Sequence, residues 1–252
     1  MKRVTSSRRL LPSHFAYLGI ALFAANANAQ DGDSINWSIT PYIWASNTTV
    51  DLTFRDTNIG AGDISFRDLL DVLDAAFMVH VERGGGNWSV FGDLTYLKTA
   101  DTIERTLATI DVDNEQVFLD AAIAFWPGGF GSQLNLFGGL RHSGFEDRYR
   151  FSIGGMQVGE QRSTKDYYDA LIGIRYRFEL AERWELLTHG DLSFGDSEGT
   201  FLLRANFAYT VGKHRQNRIL FGYQYKEAEF RDGDLTTDFS YNGPMAGFSF
   251  RF

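Results

Sequence analysis

The chain has no cysteine. That excludes disulfides, thiol catalysis and thiolate-bound zinc or iron–sulfur centres. It has only 4 prolines in 252 residues, few enough for long uninterrupted strands. After residue 29 no apolar run approaches the roughly 20 residues that a membrane-spanning helix needs. Positive charge is also short, with 24 Lys plus Arg against 32 Asp plus Glu. Residues 1–29 hold four of the basic residues and no acidic one, so the remainder carries a net charge of −12. This disfavours nucleic acid, whose phosphates reward a basic face, and a polybasic membrane-surface role.

What is present begins with a basic start, Lys2, Arg3, Arg8 and Arg9, followed by the apolar run from Phe15 to Ala25. Ala27 and Ala29 then stand where a processing enzyme needs small residues. Residues 1–29 therefore read as a secretory signal peptide cut after Ala29, leaving residues 30–252 as one domain.

The rest alternates. Phe77, Val79 and Val81 share one face with His80 and Glu82 on the other, and Tyr168 to Phe178 repeats the pattern with Asp169, Arg175 and Arg177 opposite. Such segments, separated by Gly-rich or polar connections, predict an all-β antiparallel up-and-down barrel of about ten strands, with eight to twelve possible. The range stays open because Thr49–Phe54 could join Gly60–Phe66 as an extra hairpin. Phe66, Leu69, Leu70 and Leu73 behind Ser65 predict a short helix in the first long loop, placed to cap or plug the barrel. Connections at one end read as short. Those at the other end read as long loops, among them a polar stretch from Tyr149 to Ser163.

The last residues carry a resemblance. Gly247, Phe248, Phe250 and Phe252, with Ser249 and Arg251 between the rings, resemble the C-terminal assembly signal of bacterial outer-membrane β-barrels. Met245 departs from the polar residue that pattern has two places before the glycine. The resemblance implies a Gram-negative outer-membrane location, contact with membrane lipid and lipopolysaccharide, and recognition of the C-terminal strand by the barrel-assembly machinery.

Trp37, Trp88 and Trp184 begin strands, and Phe125, Phe178 and Phe252 end them, all on the apolar face at the short-turn end. They predict an aromatic girdle at one bilayer interface. If the apolar faces meet lipid, the other faces line the interior. Its acids are then Glu82, Asp93, Asp120, Asp169, Glu185 and Asp191. Its bases are Arg141, Arg175, Arg177, Arg204, Lys226 and Arg251, joined by His80 and His189. Isolated charges are costly in a narrow interior, so these residues predict a lumenal ion-pair network. A narrow channel for small polar solutes is the accompanying possibility.

No cofactor, metal centre or catalytic set emerges. His189, Asp191 and Ser193 share a face, but neighbours two apart on a strand sit roughly 7 Å apart, which argues against direct bonds among them. His142 and Ser143 are adjacent and so face opposite ways, unlike the His and Ser two apart in barrel enzymes that deacylate lipid A. An outer-membrane hydrolase acting on lipid or peptide is the alternative to a structural or surface-interaction barrel. Arg148, Arg150, Arg162 and Lys165 could meet lipopolysaccharide phosphates.

Overall fold

The computed structural model describes residues 36–55, 57–104, 108–212 and 217–252. The signal-peptide reading, residues 1–29, lies outside them. Ten strands run antiparallel: β1 (Asn36–Trp44), β4 (Leu73–Gly85), β5 (Trp88–Glu104), β6 (Ala108–Phe125), β7 (Leu134–Ile153), β8 (Met156–Ala181), β9 (Trp184–Gly195), β10 (Gly199–Val211), β11 (Asn217–Asp232) and β12 (Leu235–Arg251). Neighbours in this order pair, and β1 returns to β12, so the sheet closes on itself. Closure is sealed where Trp37 and Phe252 exchange backbone hydrogen bonds of 2.7 and 3.1 Å.

The predicted extra hairpin exists as β2 (Asn47–Phe54) and β3 (Thr57–Ile64), yet the ring stays at ten strands. β12 is long enough to serve two partners. Its second half pairs with β1 and its first half with β2, which continues β1 after a break at Ala45 and Ser46. Pro41, which has no N–H to give, makes the last pair between β1 and β4. Beyond it β1 leaves β4, and the Trp44 amide meets the Met78 sulfur at 3.3 Å instead of a carbonyl.

The helix α1 (Phe66–Val72) forms where expected, with Ser65 as its N-cap, but it buries none of its residues and is no plug. Asp68 accepts bonds from the Ser65 hydroxyl and amide at 2.6 and 3.1 Å, and these hold its carboxyl below the usual range. A lowered folded value means the cap contributes above the unfolded pKa, about 4, and fades as pH falls through the lower folded one. Protection of the Leu69 amide, measured against its intrinsic exchange rate, is expected to be highest at neutral pH, to fall as pH drops through the lowered Asp68 value, and to fall several-fold in Ser65→Ala.

The connections predicted as long loops are mostly strand. The stretch from Tyr149 to Ser163 is a hairpin turning at Gly154 and Gly155, both at positive φ (56° and 80°). Glycine takes that conformation without strain, so the ladder runs to the tip instead of opening into a loop.

The two faces are inverted relative to a water-soluble barrel. Ile43, Val90, Ile123, Leu140, Ile172, Leu203 and Phe221 are exposed outside, Ile43 and Leu140 at 68% and 66%. Arg141, Asn135, Asp169 and Ser143 are the largest class of fully buried side chains besides Leu171. Only closed barrels and helices satisfy every backbone group in lipid, and only an apolar surround rewards this inversion. The fold is that of a Gram-negative outer-membrane β-barrel. Asn36 and Phe252, the first and last described residues, lie at one end of the barrel, the terminus end. There Trp88 lies 4.9 Å from Phe125 with the rings tilted at 50°, Trp184 lies 4.8 Å from Tyr209, and Trp37 sits under the Arg83 guanidinium at 5.1 Å. Phe178 lies against Tyr176 at 4.5 Å, and Phe252 is 65% exposed. In β12, Phe248 lies 4.7 Å from Phe250 on the outer face.

Candidate functional site

The lumen holds the polar chemistry, because alternation turns every second residue inward. Its charged residues lie in layers. At the terminus end Glu185 receives Arg218 at 2.6 Å and Arg177 at 3.4 Å, while Arg251 finds no carboxylate partner among the described residues. Arg218 was missed by the sequence reading although it shares the inward parity of Lys226.

Above them Arg175 bonds Glu82 at 2.9 Å and Asn135 at 2.9 Å, with its guanidinium 4.5 Å from the centre of the Phe91 ring. Glu82 also accepts from Ser89, which in turn accepts from the Trp126 indole at 2.8 Å. His80 Nδ1 lies 3.1 Å from Asp93, which accepts the Tyr42 hydroxyl at 2.6 Å and faces Arg204 at 3.5 Å.

The centre is Arg141. Its Nε and Nη2 both reach Asp120 at 2.7 Å, and Nη1 reaches Asp191 at 2.9 Å and Thr200 at 2.7 Å. Asp191 also meets His189 Nε2 at 2.6 Å. This corrects the spacing argument: backbones two residues apart are distant, but both side chains lean along the strand and close the gap. Asp169 has no cation at ion-pair distance among the described residues. Ser193 and Ser197 donate their hydroxyls to it at 3.0 and 2.6 Å, with the Ser197 amide at 3.0 Å. Lys226 is buried over the Phe118 ring, 3.6 Å from its centre, with no carboxylate at ion-pair distance among the described residues.

Beyond the charges the lumen is aromatic. Tyr42, Trp44, Tyr241 and Met245 are buried together with Met78, Phe118 and Phe239 packed on them. Phe239 stacks on Tyr241 (5.7 Å, 10°) and on Phe145 (5.7 Å, 11°). A cavity of about 20 Å³ separates this layer from the charges, and one of about 180 Å³ lies toward the terminus end.

Outside the lumen, His142 bonds Asp166 at 2.9 Å while Ser143 is buried on the opposite face. On the outer wall Arg150 pairs with Asp113, and Arg148 and Arg162 pair with Glu146, whereas Lys165 shares the inward parity of Tyr167 and reaches across the barrel mouth to Asp232.

No family model and no curated protein sequence matches the chain. Among solved structures, the chain is similar to Ail of Yersinia pestis, crystallised in complex with the heparin analogue sucrose octasulfate (10% identity, 87% of this chain and 99% of that one, TM-score 0.39). It is also similar to the outer membrane protease OmpT from Escherichia coli (11% identity, 86% and 96%, TM-score 0.45). A third is the Ralstonia pickettii toluene transporter TbuX (9% identity, 88% and 90%, TM-score 0.30).

Proposed function

We propose that this is a non-enzymatic barrel of the outer membrane, closed to solutes at rest, with a structural or surface-interaction role. The observation that carries the reading is the aromatic layer. Trp44 from β1, Phe118 from β6, Phe145 from β7 and Tyr241 from β12 meet ring against ring across the lumen. Ten strands stand near the filled end of barrel sizes, where side chains can occupy the interior.

Among the described residues the hydrolase alternative has no side-chain nucleophile seated on a histidine. His80 and His189 both have carboxylate partners, but among the described residues no serine or threonine hydroxyl bonds either ring. The nearby hydroxyls of Ser193 and Thr200 are occupied by Asp169 and Arg141.

The chain is exported with residues 1–29 removed. The barrel-assembly machinery receives it through Gly247–Phe252, and Arg148, Arg150 and Arg162 exchange their carboxylates for lipopolysaccharide phosphates at the outer wall. N-terminal sequencing of the membrane-inserted protein should begin at Gln30. In planar bilayers the unaltered protein is expected to give no conductance steps, and discrete steps would overturn the closed reading. The triple variant Trp44→Ala, Phe118→Ala, Tyr241→Ala should conduct.

A further inference from the structure

The cavity at the terminus end has a composition that the closed-barrel reading does not use. Its volume, about 180 Å³, far exceeds the roughly 10–15 Å³ that one water needs. Its outer part carries three guanidiniums, those of Arg177, Arg218 and Arg251, around one enclosed carboxylate, Glu185. Glu179 reaches Arg177 only at 3.6 Å, from a position 62% exposed. Arg177 Nε is buried with no hydrogen-bond acceptor, and Arg251 has no carboxylate partner among the described residues. A positive surplus here is local, because the whole chain carries a net charge of −8.

The deeper part of the cavity differs. Trp126, Leu202 and Leu220 supply apolar wall, and the Arg175 guanidinium, bound to Glu82, lies over the Phe91 ring. At its inner end Asp93, Asp120 and Asp191 are already bound to Arg204 and Arg141. Among the described residues they leave no unpaired guanidinium there, Arg175 being bound to Glu82, and their carboxylates repel an anion. An anionic head is thus attracted to the mouth and excluded from the floor, while an apolar body has a wall between them. Guanidinium forks are suited to planar carboxylate and to phosphate.

We propose that this cavity binds a small organic anion, its carboxylate or phosphate held by Arg177, Arg218 and Arg251 and its apolar body against Trp126 and Leu220. Entry is from the end that carries the termini. The site is independent of whether the barrel conducts.

The test uses the full residue 30–252 barrel, folded in detergent and titrated with benzoate, phenyl phosphate and inorganic phosphate. Calorimetry reports binding, and indole fluorescence reports occupancy beside Trp126. Saturable binding of benzoate or phenyl phosphate is expected, and which of the two binds more tightly distinguishes a carboxylate ligand from a phosphate ligand. Inorganic phosphate should bind about tenfold more weakly than phenyl phosphate, since it lacks the body. Arg251→Gln should weaken binding about tenfold, the size of one charge-assisted bond. Phe118→Leu, beyond the charged layer, should leave binding unchanged. Absence of saturation with all three probes would overturn the proposal. So would equal affinity in a folded Arg251→Gln, or inorganic phosphate binding as well as phenyl phosphate.

Discussion

Arg141→Met is expected to destabilise the folded barrel by about 3–5 kcal/mol, the usual cost of removing one partner from a buried ion pair. Arg141 is 1% exposed and holds two carboxylates at once, Asp120 through a two-pronged contact and Asp191 through Nη1. Methionine fills similar volume, so the loss is electrostatic and not a cavity. Two carboxylates would then remain enclosed, Asp191 with His189 as its one partner at ion-pair distance among the described residues. Urea unfolding in lipid vesicles measures the change. The combination Arg141→Met, Asp120→Asn, Asp191→Asn should recover most of it, because amides tolerate the site uncharged. A loss below about 1 kcal/mol in the single variant would show that water already screens the centre.

The second large effect is expected at Gly243→Ala. A Cβ there would stand 2.0 Å from the Ala45 carbonyl oxygen and 2.8 Å from its carbon. Both are backbone atoms, so no side-chain rotation relieves the clash. Ala45 lies at the break where the chain passes from β1 to β2, beside the point where β12 changes partner. The substitution should lower the yield of folded, heat-modifiable barrel at least tenfold. Gly60→Ala is the control, since nothing lies within 4 Å of its added Cβ, and it should fold normally.

The strands and their inward residues were legible because a period of two assigns faces without knowledge of the partner strand. His80, Asp93, Arg175 and Lys226 follow from parity alone. The aromatic layer was not legible. Tyr42, Trp44, Phe118 and Tyr241 have the inward parity too, but they come from strands up to 199 residues apart, as the Tyr42–Tyr241 cluster shows. Parity says that each ring points in and cannot say that they meet at one height. The rings outside drew attention instead, since alternation with lipid is the stronger local signal. The long-loop reading failed for a different reason. Polar strand above a membrane loses its apolar alternation, so Tyr149–Ser163 looks like loop although its ladder to the paired strand continues. His189 and Asp191 show the limit of backbone spacing as a proxy for side-chain reach.

The departure of β1 from β4 at Pro41 bears on the kinetics of the ring. β1 is tied to β4 over six pairs, Asn36↔Gly84 to Pro41↔Val79, and to the second half of β12 over five. β7 and β8, by contrast, stay paired from Leu134↔Tyr176 to Ile153↔Met156. The joints from β4 round to β12 are likewise between sequence neighbours and close locally, whereas Trp37 and Phe252 meet only after nearly the whole chain has been arranged. The amides of β1 are therefore expected to exchange first, and the ring to open and to complete itself at this strand. The first strand of the barrel to be synthesised is then the last to be secured.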